Sequence, residues 1–453
     1  MNFKRFILDV AFAAVALGAA AQPLPLVLGL DEAIARSVSN QPLILQAESS
    51  VAAARAKEDQ AKSAYLPNAS AAASYLHLEP QEGEDIPLTR LYDAVTGSSA
   101  PYDIRDALAP ENMWNFHVGA SELVFDFGKR ELQVKLAESG VNAAGIGIDQ
   151  IKTNIAFQAA QVFDSILFLR SEIKVLDEQL ATLEAHLQDT EKREETGSLT
   201  HYDVLTTQVR LASVKSQRID AEGQYAKQKI ALKELMGLGP DEDFDIQGDF
   251  SLAPISGDTA AALATAITQR PDLAQSLSAE KQARLALSLA KLGHMPTIST
   301  QAEAGFKNGI LTFDNTDVDK LLFDWDIGLM VSVPVFDGLL TERRSAEAEA
   351  KLKAAQNSTD NLRRTMTTQV LQALQDVASS HEQTDNSLVQ LAQANEALNM
   401  AKIQYDIGVS TNLQYLDSQT SLELAKLSNL GATYHELLSQ LALKQALGER
   451  MWR

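Results

Sequence analysis

An internal duplication constrains the fold of this chain more than any other feature. The triplet Val-Phe-Asp at 124–126 recurs at 335–337, and Gly197 recurs as Gly408 at the same offset. Repetition on this scale indicates that one structural unit was duplicated, which limits the folds that the chain can adopt. We therefore predict an internal structural duplication, with the first repeat at residues 22–250 and the second at residues 251–453.

The N-terminus has the layout of a secretory signal. Lys4 and Arg5 precede an apolar stretch at 6–17, and three alanines at 19–21 suit a cleavage site. We therefore predict a signal peptide at 1–21 and a secreted mature chain.

Composition excludes several classes of function. The chain has no cysteine, which rules out disulfides, cysteine-ligated metals and a lipid anchor on an N-terminal cysteine. Its formal net charge of −21 disfavours nucleic acid as a partner. The seven histidines are scattered singly and the eight methionines form no cluster, so we expect no dedicated metal site. With no nucleophile-elbow glycines and no acid pair in a predicted cleft, we expect no catalytic centre and no cofactor.

Two regions of the chain can hold very long helices. Of the 13 prolines, none lies between Pro110 and Pro240 and none follows Pro334, and proline breaks helix interiors. The first region has apolar or small residues in alternating steps of four and three, which is a coiled-coil seam. These seam positions are Ile155, Ala159, Val162, Ile166, Leu169, Ile173, Leu176, Leu180, Leu183 and Leu187. The next helix repeats the stepping with smaller residues at Leu205, Val209, Ala212, Ser216, Ile219, Gly223, Ala226 and Ile230.

Each long helix ends at a glycine that reverses the chain. The predicted helices, 129–195 and 339–407, lead into tight turns near 197 and 408, since glycine commonly terminates helices in a left-handed conformation. Thr200 and Thr411 then fit as N-caps of the returning helices, with Asp203 and Gln414 completing capping boxes. The sequence thus predicts two antiparallel helical hairpins.

Two other segments alternate apolar and polar residues with period two, which indicates strands. We predict β-hairpins at 67–125 and 296–335, with Trp114 and Trp325 at corresponding places. A soluble sandwich with one wet face is one interpretation. The other is a membrane sheet with interfacial tryptophans, in which four strands cannot close a barrel and chains must associate. Two chains would give eight strands, and three would give twelve and room for water.

In its ordered, duplicated arrangement the mature chain resembles the TolC family of outer-membrane efflux and type I secretion exit ducts. The resemblance rests on the duplication, Pro67 and Pro296 before the strands, the two Val-Phe-Asp triplets between the strands and the long helices, and the two turn glycines. It implies a mainly α fold with transmembrane β: long helical hairpins forming an α-barrel, and four strands per chain in a twelve-stranded outer-membrane β-barrel of a homotrimer. It also implies contact with outer-membrane lipid, a periplasmic adaptor (membrane fusion protein) and an inner-membrane pump.

The resemblance also assigns residues at the hairpin tips. The family's tip latch corresponds to Tyr405 and Asp203, whereas Ser410 replaces its arginine. The pore constriction corresponds to Asp417 and to Gln414, which is neutral here. The adaptor-docking tips correspond to Thr196, Gly197, Ser198, Ile407, Gly408 and Val409, and the membrane-interface aromatics to Trp114 and Trp325.

The function expected from these features is a passive exit duct in the outer membrane of a Gram-negative bacterium, extending into the periplasm. The alternative is a periplasmic coiled-coil structural or adaptor protein without a pore, which would explain the heptads but not the two amphipathic strand pairs. An enzyme has no support in the sequence. The exported substrate, whether drug, metal, solvent or polypeptide, is not specified by any motif, and neither is a role for the acidic loop 79–111.

Overall fold

A computed structural model describes residues 26–77, 112–239, 241–250, 258–309 and 319–452. The predicted signal peptide and the loop 79–111 lie outside these residues. The elements in chain order are β1 (Leu26–Leu28), α1 (Leu30–Asn40), α2 (Pro42–Ser63), β2 (Asn68–His77), β3 (Asn112–Phe125), α3 (Lys129–Glu195), α4 (His201–Leu235), β4 (Phe244–Ile246), α5 (Thr259–Gln269), α6 (Pro271–Lys291), β5 (Thr297–Lys307), β6 (Leu322–Ser332), α7 (Leu340–Asp406) and α8 (Asn412–Leu447).

The elements occur twice in the same order: two shorter helices, a β-hairpin, and a long helical hairpin. The long helices α3 and α7 each have 67 residues, as the proline-free regions predicted. None of the described helices is both long and apolar enough to cross a membrane.

The Val-Phe-Asp triplets end the strand segments and start the long helices. The Asp126 carboxylate accepts the Gly128 and Arg130 backbone N–H groups at 3.2 and 2.8 Å. The Asp337 carboxylate likewise accepts the Leu340 and Thr341 N–H groups at 3.0 and 2.9 Å. An acidic side chain at this place satisfies the first free amides of a helix, which accounts for the aspartate in both copies.

By compactness the chain divides into two units, and each draws on both repeats. One unit comprises Met1–Ser37, Ala159–Leu252 and Ser387–Tyr434; the other comprises Val38–Gln158, Ala253–Asn386 and His435–Arg453. The predicted repeat bounds describe a duplication in sequence and remain a prediction.

In the first unit, a core lies where β1 pairs in parallel with β4. Leu28, Phe163, Leu232 and Phe244 are fully or almost fully buried there. The sequence did not predict these two three-residue strands, because they are too short to show a period.

The coiled-coil seam of α3 is confirmed within the chain, whereas the stripe predicted on α4 does not face α3 and stays a prediction. All ten α3 positions are buried or half-buried, and Leu176 and Leu183 pack with Val214 and Ala221 of α4 and Leu416 of α8. The predicted α4 stripe is exposed along its whole length. Helix α4 carries two stripes, and the one facing α3 includes Val204, Thr207, Val214, Ala221 and Leu232.

In the second unit, the two β-hairpins join into one antiparallel sheet with the order β2-β3-β5-β6. Phe116 of β3 pairs with Phe306 of β5, which pairs in turn with Phe323 of β6. The aromatic and aliphatic residues of these strands therefore share one face.

Candidate functional site at the hairpin tips and the sheet

The two hairpin tips have the same backbone geometry. Gly197 and Gly408 both have φ of +76°, the left-handed region that disfavours other residues. The Ser198 N–H donates to the Arg193 carbonyl at 2.8 Å, and Val409 N–H donates to the Gln404 carbonyl at 2.8 Å. With the glycine amides bonded to Glu194 and Tyr405, each turn is a Schellman motif.

The returning helices begin with the predicted capping boxes. The Thr200 hydroxyl accepts the Asp203 N–H at 3.4 Å, and the Asp203 carboxylate accepts the Thr200 N–H at 3.0 Å. In the second copy the Thr411 hydroxyl accepts the Gln414 N–H at 3.3 Å, and the Gln414 amide oxygen accepts the Thr411 N–H at 3.1 Å. Both boxes confirm the sequence prediction.

A buried aromatic cluster joins the two hairpins of the first unit. His186 of α3 lies 4.6 Å from Tyr415 of α8 and 5.5 Å from Tyr405 of α7, measured between ring centroids. The two tyrosines stack at 5.3 Å. The Arg193 guanidinium lies 4.8 Å from the Tyr405 ring centroid and 3.7 Å from the Asp406 carboxylate.

A polar link accompanies this cluster. Asn412 is 2% exposed, and its amide oxygen lies 2.7 Å from His186 Nε2. Its amide nitrogen faces the Asp203 carbonyl at 3.3 Å and the Thr207 hydroxyl at 3.4 Å. Because a carbonyl only accepts, the amide nitrogen belongs on that side, so the Asn412 oxygen accepts and His186 Nε2 donates.

Burial governs the ionisation of this cluster. It lowers the pKa of the His186 imidazole, and the hydrogen bond to Asn412 opposes that shift. Burial also raises the pKa of the Tyr405 and Tyr415 phenols. Burial therefore favours the neutral form of His186, whose Nε2 donates to Asn412.

The predicted latch residues lie in this region with different partners. Tyr405 is 5% exposed and packs on His186 and Arg193, whereas the Asp203 carboxylate is held by Thr200. The Ser410 hydroxyl donates to the Gln414 amide oxygen at 2.8 Å. The latch of Tyr405 with Asp203 stays a prediction.

The remaining tip residues are accessible in the single chain. The Asp417 side chain is exposed, and so are Thr196, Gly197, Ser198 and Gly408. Ile407 and Val409 are 69% and 74% exposed, which is high for aliphatic side chains. Sequence reasoning missed His186, Arg193 and Asn412, because nothing in the heptad pattern marks a polar residue that bonds across helices.

The second candidate surface is the apolar face of the four-stranded sheet. Trp325, Ile327 and Leu329 of β6 are 66%, 70% and 71% exposed. Trp114 of β3 is 43% exposed, with its ring 4.4 Å from that of Tyr75. Across the sheet, Val118 of β3 pairs with Ala304 of β5, which pairs in turn with Trp325 of β6. Trp114 therefore does not lie directly across the sheet from Trp325.

The opposite face of the sheet is polar. Glu303 of β5 pairs directly with Asp326 of β6, and Lys307 forms an ion pair with Asp324. Like charges directly opposite each other destabilise a sheet, so the Glu303 and Asp326 pair needs water around it. The sheet thus has one face suited to lipid and one suited to water.

Comparisons with known proteins agree with this geometry. Residues 33–238 and 262–449 match the model of the family described as outer membrane efflux protein. The chain is 24% identical to outer membrane protein TolC of Vibrio cholerae over 321 residues, covering 70% of this chain and 71% of that protein.

Two solved structures share the fold. The Campylobacter jejuni CmeC outer membrane channel has a TM-score of 0.75 at 19% identity, covering 93% of this chain and 86% of that chain. The outer membrane protein VceC of Vibrio cholerae also has a TM-score of 0.75 at 19% identity, covering 92% of this chain and 96% of that chain. Since the family model spans most of both repeats, the chain belongs to the outer membrane efflux protein family.

Proposed function

We propose that this protein is the outer-membrane exit duct of a tripartite efflux or type I secretion system. It would act as a passive conduit coupled to a periplasmic adaptor and an inner-membrane pump. Family membership supports a channel rather than an enzyme. The observation that carries the proposal furthest is the four-stranded sheet with one apolar and one polar face.

The edges of that sheet favour closure by several chains. Strands β2 and β6 are the outer strands, and each pairs with a single neighbour within the described residues. Unpaired backbone groups cost several kcal/mol each in lipid, so β6 of one chain would pair with β2 of the next. Three chains supply twelve strands, enough for a water-filled interior that would hydrate Glu303 and Asp326.

The exposed stripe on α4 supports the same assembly. Val209, Ile219 and Ile230 are 71%, 65% and 67% exposed, although they repeat at coiled-coil spacing. A helix with two apolar stripes is suited to neighbours on two sides. The stripe turned away from α3 would pack on a neighbouring chain in a homotrimer.

The hairpin tips are suited to partner docking and to ion filtering. Ile407 and Val409 offer exposed apolar side chains beside the turn glycine, where an adaptor would dock. Asp417 is exposed on α8 next to that tip, and three copies in a trimer would form a ring that attracts cations. The periplasmic coiled-coil alternative is less favoured, because it leaves the exposed apolar face of the sheet without a purpose.

Reconstitution into planar bilayers tests the proposal. We expect the wild-type protein to form discrete, cation-preferring channels. The double variant Val209→Asp/Ile219→Asp should form none, because it places charge on the proposed interface. The control Gln208→Asp/Gln224→Asp changes exposed positions of α4 outside both stripes and should conduct normally. Absence of channels from the wild type would refute the duct, and equal conductance of both double variants would refute the role of the stripe.

A further inference from the structure

The segment between β6 and α7 and the first residues of α7 supply two potential metal ligands, Asp337 and Glu342, and the fold brings His294 beside them. His294 Nε2 is 3.6 Å from a Glu342 carboxylate oxygen and 4.0 Å from an Asp337 carboxylate oxygen. One ligand atom from each residue lies within 4.8 Å of the other two. The sequence predicted no dedicated metal site because the histidines are scattered singly. It could not indicate this cluster, since a whole β-hairpin separates His294 from the two acids.

The hydrogen bond of His294 decides which nitrogen faces the acids. Nδ1 lies 3.3 Å from the Pro334 carbonyl, which can only accept a hydrogen bond. Nδ1 therefore carries the proton in the neutral ring, and the lone pair of Nε2 points toward two carboxylates. The Nε2 lone pair and the carboxylate oxygens can each bind a cation, so an ion placed between them would contact all three residues. A backbone carbonyl on the other nitrogen is also one of the common ways in which proteins orient a metal-binding histidine.

The first repeat has a permanent cation at the corresponding place. There the Arg130 guanidinium lies 3.3 Å from the Asp126 carboxylate and 4.6 Å from the Tyr65 ring centroid. In the second repeat Asp337 corresponds to Asp126, but Thr341 replaces Arg130 and His294 replaces Tyr65. The second repeat thus keeps the acid, as Asp337, but has no guanidinium to pair with it.

The geometry suits a small divalent ion. Zinc bonds to histidine nitrogen and carboxylate oxygen at about 2.0–2.2 Å in tetrahedral sites, which puts neighbouring ligands roughly 3.4 Å apart. The observed 3.6 and 4.0 Å from His294 Nε2 exceed this by about 0.2 and 0.6 Å, and the two carboxylate oxygens lie within 4.8 Å of each other. Asp337 is held in place by the helix N–H groups and the Thr341 hydroxyl, whereas the Glu342 side chain is 58% exposed, and binding would require it to move inward.

We propose that His294, Asp337 and Glu342 bind a divalent transition-metal ion of the zinc class at the start of α7, where the first repeat uses Arg130. Water would supply the remaining ligand. The ion would join the segment before β5 to the start of the long helix and so stiffen the segment between β6 and α7. This inference stands independently of the proposed duct function, since it concerns contacts within one chain.

Zinc titration of the full-length, untagged protein, purified in detergent and stripped with a chelator, tests the site. At pH 7.5 we expect one Zn²⁺ per chain by calorimetry. His294→Ala should weaken binding at least about 100-fold and Glu342→Gln about 10-fold, since even supporting residues of metal sites contribute 10- to 100-fold. Glu342 is exposed, so its substitution leaves folding intact.

His381 provides a matched control. It also lies between two acids, Glu436 at 2.9 Å and Asp385 at 3.9 Å, but on opposite ring nitrogens. These acids cannot share one ion with it, so His381→Ala should bind Zn²⁺ as the wild type does. The variant His294→Tyr/Thr341→Arg, which copies the first repeat, should lose Zn²⁺ binding and keep the assembly mass of the wild type. No saturable binding by the wild type, or unchanged binding by His294→Ala, would overturn the site.

Discussion

Asn412→Ala should increase local opening of the hairpin tips by an amount that the contacts of Asn412 determine. Asn412 makes three contacts, but they do not add, because the Asp203 carbonyl keeps the Thr207 hydroxyl as a donor at 2.9 Å. The substitution therefore leaves one buried group without a partner, the His186 Nε2–H. An unsatisfied buried donor costs about 1–3 kcal/mol, which corresponds to a roughly 5- to 150-fold increase in local opening.

Hydrogen exchange measured by mass spectrometry is the direct assay. Peptides covering 186–207 and 400–418 should exchange faster in Asn412→Ala by that factor, and single channels should open more often in bilayers. Asn395→Ala removes an exposed amide from α7 in the same unit and should leave both readouts unchanged.

A double substitution separates the polar link from general damage. His186→Leu/Asn412→Leu removes both partners, and replacing both members of a buried hydrogen bond can be nearly neutral. We expect protection in the double variant to recover most of what Asn412→Ala loses. Equal exchange in Asn412→Ala and Asn395→Ala, or no recovery in the double variant, would refute the reasoning.

Three further predictions concern pH, selectivity and the membrane surface. Because the folded state lowers the pKa of His186, its contribution to tip protection should be complete above the unfolded value of about 6.5. That contribution should be lost as the pH falls through the lower folded value, and the exchange of His186→Leu should lack this pH dependence; an unchanged profile in that variant would rule out His186. Asp417→Asn should reduce the cation preference of the reconstituted pore, and unchanged reversal potentials would remove Asp417 from the constriction. Ile327→Lys should lower assembly in outer membranes, because lysine facing lipid costs about 2–4 kcal/mol at the midplane, whereas Gln301→Lys on the polar face should assemble normally; equal assembly would place Ile327 away from lipid.

The parts of the fold that could be predicted from sequence are those that local chemistry determines. Gly197 and Gly408 indicate the turns, because a Schellman motif needs a residue in the left-handed conformation at that position. Thr200 and Thr411 mark the caps because their partners lie three residues away. The seam of α3 and the strand pairs showed clear periods of 3.5 and 2.

The parts that could not be predicted depend on contacts between distant segments. Helix α4 has two apolar stripes, and its sequence does not indicate which one faces α3. His186 comes into contact with Asn412, and His294 comes close to Glu342, only once the hairpins have formed. The short strands β1 and β4 have too few residues to show a pattern. Apart from these two strands, each miss concerns pairing between remote segments, whereas the local structure of the hairpins was predicted.

The mass of the protein in its detergent complex, extracted from isolated outer membranes and corrected for bound detergent, tests the central claim most directly. A trimer in the outer-membrane fraction is the result that closure of a twelve-stranded barrel by three chains predicts. A soluble monomer or dimer in the periplasmic fraction would contradict the duct, because the apolar face of the sheet would then never meet lipid.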